Sequence, residues 1–151
     1  MTLYDEMLVG AIDLHCHIDL EFSGNDLKRE PESLWLPKAE AMGLRGVVLK
    51  SHWWPTVNVV PYILASVKTS VSLWSSVALN IAVGGPSLCV IEACAELGGK
   101  VVFLPTWSAR NDIQRKGFSH RLRSIYEHFG KVENPGYTFT NDKGQLLPEG
   151  R

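Results

Sequence analysis

The sequence predicts an α/β fold built from parallel strand and helix units, and three observations support this. Four short apolar segments bounded by Gly, Pro or Ser predict strands at residues 9–18, 44–51, 70–80 and 100–106. Longer amphipathic segments lie between these strands. Because strands alternate with helices along the chain, we expect a parallel sheet with the helices packed outside it.

The clearest predicted helix is the segment PSLCVIEACAEL, residues 86–97. Leu88, Ile91 and Ala95 recur at helical spacing and predict the buried face of this helix, and Gly98 fits the left-handed position after its last turn. The other helices are predicted at residues 32–42, 57–68 and 119–130.

Composition indicates an ordinary globular chain. The chain has 151 residues, of which 45% are hydrophobic and 21% are charged. We expect residues 1–151 to form a single domain. A net charge of -1 gives no overall attraction to nucleic acid or to an anionic membrane, so we expect neither as a partner. Three cysteines without a paired spacing, and no signal peptide or membrane-spanning segment, predict a cytoplasmic protein.

The segment AIDLHCHIDLEF, residues 11–22, carries ionisable side chains at alternate positions. On an extended strand, alternate side chains share one face, and here that face holds Asp13, His15, His17 and Asp19. The opposite, apolar face is predicted to be buried and holds Ile12, Leu14, Cys16, Ile18 and Leu20. Two neutral imidazoles on one strand face can reach a single divalent ion, and a carboxylate behind them can fix their tautomers.

Polar side chains also follow the other predicted strands. Lys50 and His52 end the second strand, Asn80 ends the third, and Thr106 and Ser108 follow the fourth. Ligands of parallel α/β sheets bind at the carboxyl ends of the strands, so these side chains are expected around one cavity with the histidine pair. Asn80 and Thr106 are the candidates for substrate binding, and strand-end turn formation is the alternative reading of both.

The motif DLHCH at the end of a first strand resembles the metal-binding signature of the amidohydrolase superfamily. Together with GLRGVVLKSHWWPT and ALNIAVGGPSLCVIEACAELGGKVVFLPT, it is similar to a little-characterised amidohydrolase-like branch over residues 11–111. The resemblance implies a distorted (β/α)8 barrel, one or two divalent metals, and hydrolysis of a C–N, C–O or P–O bond in a small-molecule substrate by metal-activated water. The PHP-type phosphoesterases also begin with closely spaced histidines and are a competing relative.

Site roles follow from the residues and the resemblance together. His15 and His17 are the predicted metal ligands, for zinc first and for manganese or iron as alternatives. Asp13 and Asp19 are predicted to hydrogen-bond the imidazoles, and Lys50 and His52 are the predicted catalytic residues. Lys50 has two possible roles, which are neutralising a substrate anion, the simpler one, and bridging two metals as a carbamate.

Only half of such a barrel is expected from this chain. A (β/α)8 barrel takes about 250 residues, whereas four strand and helix units are predicted here. The resemblance implies further metal-site histidines after the fifth and sixth strands and an aspartate after the eighth, but His120 and His128 fall in the last predicted helix. Two readings follow. In the first, the chain is a hydrolase, or the first half of one that a second copy or another subunit completes. In the second, it is an inactive half-barrel or fragment that persists by oligomerising.

Overall fold

The computed structural model describes residues 3–18, 30–115 and 136–148. Four strands alternate with helices in the predicted order. The strands are β1 (Ile12–His17), β2 (Gly46–Lys50), β3 (Ser72–Ala78) and β4 (Val101–Phe103). The helices are α1 (Leu3–Leu8), α2 (Glu32–Ala41), α3 (Val60–Ser66), α4 (Leu88–Glu96) and α5 (Arg110–Gln114), with 3-10 turns at Thr56–Asn58 and Ile81–Val83. The predicted helix at residues 119–130 lies outside the described residues.

The four strands form one parallel sheet in the order β1-β2-β3-β4. Ile12 pairs with Gly46, and Gly46 pairs with Ser72, whereas β4 begins opposite Ser76, further along β3. The sheet is curled, because the rings of His15 on β1 and Phe103 on β4 lie 5.4 Å apart across three strand positions. The predicted parallel α/β fold is confirmed, and its shape is half of a β/α barrel.

The larger part of the core lies between the outer face of the sheet and helices α2 and α3. Val47 and Leu49 alternate along β2 and point outward into this layer, while Val48 and Lys50 point to the inner, concave face. The buried members of this cluster are Ile18, Leu36, Ala39, Val47, Leu49, Val60, Ile63, Val71 and Leu73.

Helix α4 packs on the outer face of β3, through a face that matches the prediction only in part. Cys94 is buried against Val77, and Val90 and Ile91 pack on the same cluster, so the prediction for Ile91 is confirmed. Leu88 is 77% exposed and Ala95 is also exposed, so the predicted burial of these two side chains is wrong. The inward side of the helix is centred on Val90, Ile91 and Cys94 instead.

The outer face of β1 also departs from the prediction. Leu14 is 63% exposed and Ile12 is 38% exposed, so the predicted burial of these two side chains is wrong. β1 is an edge strand of the sheet, and its register with β2 shifts between Asp13 and Cys16. Beyond that shift the prediction is confirmed, because Ile18 is fully buried and Cys16 packs against the first core cluster.

Two close contacts shape the inner face between β2 and β3. At the amino end, a side chain on Gly46 would collide with the ring of Trp74 on the neighbouring strand. At the carboxyl end, the hydroxyl of Thr56 donates to the carbonyl of Leu49 and accepts the backbone N–H of Ser76. Thr56 thus satisfies backbone groups where the two strands separate, and this opens the sheet at its carboxyl edge.

A short turn lies in the segment after residue 136. Thr140 and Leu146 form an antiparallel bridge around residues 141–144, and the side chain of Asn141 accepts the backbone N–H groups of Lys143 and Gln145. Among the helices of the described ranges, none has the length and apolar character needed to cross a bilayer.

Candidate functional site

The histidine pair of β1 lies on the concave side of the sheet at its carboxyl edge. The Nε2 atoms of His15 and His17 are 3.1 Å apart, and the ring centroids are 5.0 Å apart. Alternation along the strand turns both rings to the same side, as predicted. This contact is a hydrogen bond between the rings, and the tautomers decide which Nε2 donates.

Lys50 ends β2 beside this pair and is 1% exposed. Its Nζ lies 3.0 Å from His15 Nε2 and 4.9 Å from the centroid of the Phe103 ring. The register pairs His17 with Lys50 across the two strands, which explains how residues distant in sequence meet. The predicted convergence of the lysine with the histidine pair is therefore observed, on the concave side of the sheet.

His52 follows β2 and faces His17, with ring centroids 4.7 Å apart. Its Nδ1 lies 2.7 Å from the hydroxyl oxygen of Thr106, and its ring stacks on Trp107 at 4.1 Å. His52 is 7% exposed. Trp107 fixes the tilt of its ring, and Thr106 fixes the position of its Nδ1 atom.

Asn80 connects the segments that follow β2, β3 and β4. Its side-chain nitrogen donates to the carbonyl of His52 and to the hydroxyl of Thr106, and its side-chain oxygen accepts the backbone N–H groups of Thr106 and Ser108. Asn80 is 2% exposed, and Ser108 in turn accepts the backbone N–H of Ile81. Asn80 and Thr106 thus hold His52 and its loop in place. Their contact with a substrate stays a prediction.

Asp13 makes a contact with backbone rather than with an imidazole. Its Oδ1 accepts the backbone N–H of His15 at 2.8 Å. This bond stabilises the strand at the point where its register shifts. Asp19, the other predicted carboxylate partner of the histidines, lies outside the described residues, as do His120 and His128.

Aromatic side chains lie beside these polar residues, and two of them, Phe103 and Trp107, were not predicted from the sequence. Phe103 lies against both His15 and Lys50, and Trp107 stacks on His52. Trp53 meets Trp107 edge to face at 5.4 Å. Their positions in the sequence could have indicated both residues as part of the site. Phe103 ends a strand, and Trp107 lies between the polar strand-end residues Thr106 and Ser108.

The cleft offers two imidazole nitrogens to a metal ion. Two ligands of one tetrahedral zinc ion, each at about 2.0–2.1 Å, lie about 3.3 Å apart, so the 3.1 Å between the Nε2 atoms of His15 and His17 fits such a pair. In the described part of the chain, no group of three or more His, Cys, Asp and Glu side chains gathers to hold a metal. The described residues therefore bring two imidazole nitrogens together beside the side chain of Lys50.

The fold and site together define a parallel α/β half-barrel with a histidine and lysine cluster at the carboxyl edge of its strands. Residues 10–151 match the DUF6282 family, which is described as a family of unknown function, and the chain belongs to this family. Comparison with curated proteins and with solved structures found no match.

Proposed function

We propose that this half-barrel binds a divalent metal for hydrolysis of a C–N, C–O or P–O bond in a small molecule, in the manner of the amidohydrolases. The observation that carries the proposal is the 3.1 Å separation of the His15 and His17 Nε2 atoms. Imidazole pairs suit zinc best, and manganese and iron are alternatives. A bound ion of this kind lowers the pKa of water to about 7 and polarises a substrate oxygen.

Lys50 sets the charge of the substrate. His15 and His17 would hold the metal ion through their Nε2 atoms. Lys50 Nζ, 3.0 Å from His15 Nε2, would then donate a hydrogen bond to a substrate oxygen beside the ion. The Lys50 amine is 1% exposed, and a negatively charged substrate oxygen beside it would accept its hydrogen bond. The proposed substrate is therefore an anion, such as a carboxylate or a phosphoester.

His52 is positioned for proton transfer. Thr106 and Trp107 hold its ring beside His17, and a histidine can give a proton to a leaving group near neutral pH. The rings of Phe103, Trp53 and Trp107 supply apolar surface beside these polar groups. We place this activity in the cytoplasm, because Cys16, Cys89 and Cys94 form no disulfide in the described structure.

One observation favours a second candidate, a half-barrel without catalytic activity. The described residues supply two imidazole ligands, whereas catalytic zinc sites use three protein ligands. A chain that holds metal weakly would fit this candidate. The two candidates differ in metal content and in activity toward anionic substrates.

Elemental analysis of protein purified without chelators tests the proposal. We expect stoichiometric zinc, manganese or iron in the wild-type chain and its loss in the His15→Ala, His17→Ala double variant. His128→Ala, which removes a histidine elsewhere in the sequence, is the matched control and keeps the metal. Hydrolysis of carboxylate esters, lactones, amides and phosphoesters is then assayed, and selective phosphoester cleavage would favour PHP-type chemistry. A folded wild-type chain that binds no metal overturns the proposal.

A further inference from the structure

The hydrogen bonds of Asn80 decide which way its amide group faces. One side-chain atom lies 2.9 Å from the backbone nitrogen of Thr106 and 3.2 Å from that of Ser108. Both backbone N–H groups can only donate, so this atom is the amide oxygen. The amide nitrogen then faces the carbonyl of His52 at 3.1 Å and the hydroxyl oxygen of Thr106 at 3.0 Å. The two protons of this buried amide are thus donated to His52 and Thr106.

The hydroxyl of Thr106 accepts one of these bonds and has a single proton of its own to donate. Two acceptors lie within reach, which are His52 Nδ1 at 2.7 Å and the side-chain oxygen of Asn80 at 3.4 Å. The shorter distance is typical of a bond donated by a hydroxyl, whereas the longer one is long for such a bond. The Asn80 oxygen also accepts two backbone N–H groups already. The Thr106 proton is therefore donated to His52 Nδ1, which carries no proton itself.

We propose that Asn80, acting through Thr106, holds neutral His52 in the tautomer that carries its proton on Nε2. In this tautomer the lone pair of Nδ1 is used by Thr106, and the protonated Nε2 has no lone pair for a metal ion. The ring of Trp107, stacked at 4.1 Å, holds the plane of the imidazole in this arrangement. His52 is therefore a hydrogen-bond donor rather than a third imidazole ligand beside His17.

The assignment of the tautomer deepens the proposed function, on which its consequence for hydrolysis rests. Neutral His52 can donate a hydrogen bond from Nε2 to a substrate oxygen and so polarise it, but it cannot act as a base through that atom. Asn80 acts through Thr106 and is a positioning residue in this scheme. The position of the proton itself follows from hydrogen bonds within the chain and does not depend on a metal.

Nitrogen NMR of the metal-free protein, at a pH where the ring is neutral, tests the tautomer directly. Ring nitrogens with and without a proton have well-separated chemical shifts, and the His52→Gln variant assigns the signal among the five histidines. We expect one tautomer, with Nε2 protonated and Nδ1 unprotonated. A protonated Nδ1, or shifts that average the two tautomers, overturns the proposal.

The variant Asn80→Asp tests whether Asn80 sets the tautomer. It puts a carboxylate oxygen where the amide nitrogen donates to Thr106, so the Thr106 hydroxyl donates to the carboxylate and accepts from His52 Nδ1. We expect the proton of His52 to move from Nε2 to Nδ1. Asn111→Asp, at an exposed asparagine on α5, is the matched control and keeps the wild-type shifts. A folded Asn80→Asp variant that keeps the proton on Nε2 overturns the proposal.

A second pair of variants keeps the test valid if Asn80→Asp does not fold. Thr106→Val removes the donor to Nδ1, and the two nitrogen shifts of His52 are expected to move toward each other as both tautomers become populated. Thr106→Ser retains the hydroxyl and is expected to keep the wild-type shifts. Unchanged shifts in Thr106→Val would contradict the role of Thr106.

Zinc binding separates this proposal from the proposed function. Because His52 is not a ligand, His52→Gln is expected to change the zinc Kd by less than about twofold, as measured by isothermal titration. Loss of zinc in this variant, when the wild type binds it, overturns the proposal and leaves a metal-dependent hydrolase standing. A wild-type chain that shows the Nε2 tautomer but binds no metal supports the assignment and removes the hydrolase.

Discussion

Lys50 Nζ lies 3.0 Å from His15 Nε2, so a buried cation and an imidazole from adjacent strands meet at the carboxyl edge of the sheet. The pair is brought together by the parallel register, which sets His17 opposite Lys50. Under the proposed function, we expect the charge of Lys50 to affect both metal affinity and substrate choice.

Replacing Lys50 with methionine should tighten zinc binding. The ammonium group of Lys50 and a divalent ion repel each other. Methionine has a similar volume but no charge, so the substitution removes this repulsion. We expect about a tenfold lower zinc Kd, equivalent to about 1.4 kcal/mol, together with a higher KM for an anionic substrate. Isothermal titration with zinc measures the first effect, and steady-state kinetics the second.

Lys50→Arg keeps the charge and is the control, with zinc affinity close to that of the wild type. The opposite result would be as informative. If Lys50→Met lost zinc altogether, Lys50 would be a ligand, as a bridging carbamate requires, and its role as an anion-binding cation would be wrong.

Removing the hydroxyl of Thr106 should loosen His52. Thr106→Val leaves His52 Nδ1 and the side-chain nitrogen of Asn80 without this partner in a buried site. Losing hydrogen bonds in a buried site costs about 1–3 kcal/mol, so the free energy of unfolding should fall by about that amount. Urea denaturation measures the loss, and nitrogen NMR reports the His52 tautomer. Thr106→Ser retains the hydroxyl, and an equal loss in both variants would argue against the hydrogen-bond role.

A methyl group at Gly46 should collide with Trp74. Because the ring lies directly over this glycine on the inner face of the sheet, Gly46→Ala is expected to lower the free energy of unfolding by about 1–3 kcal/mol. Combining it with Trp74→Leu should cost less than the two single changes together, since the smaller side chain makes room. Strict additivity in urea denaturation would show that the two residues do not compete for this space.

Glu40 should make stability depend on acid pH. The hydroxyl and backbone N–H of Ser70, and the hydroxyl of Thr69, donate to this carboxylate and lower its pKa below the ordinary value of 4.5. Its stabilising effect is therefore present above that ordinary value and is lost as pH falls through the lowered pKa.

The variant Glu40→Gln should be less stable than the wild type at neutral pH, with the difference shrinking in acid. Urea midpoints over a pH series measure this. Glu92→Gln, an exposed position on α4, is the control. A difference that stays constant from neutral to strongly acid pH would exclude the proposed ionic hydrogen bonds.

Local periodicity was sufficient to predict the parallel fold and the position of the four strands. The inner face of β1 was predicted because alternation is a backbone property, and His15 and His17 obey it. Burial of Leu14 was predicted wrongly for a different reason. Strand alternation defines a face, but only the neighbouring elements decide whether that face is covered, and β1 is an edge strand here.

The site shows the same division between local and long-range information. Lys50 and His52 were predicted near the histidine pair because strand ends meet in a parallel sheet. The stacking of Trp107 on His52 depends on how the segment after β4 returns across the edge of the sheet. Periodicity carries no information about that path, so Trp107 and Phe103 were found only in the structure.

X-ray absorption at the zinc edge of the zinc-loaded protein tests the central claim, that His15 and His17 share one ion. The account predicts imidazole scattering from at least two rings with Zn–N distances of about 2.0–2.1 Å, and loss of that scattering in the His15→Ala, His17→Ala variant. A zinc shell without imidazole, or a spectrum unchanged in the double variant, would contradict it.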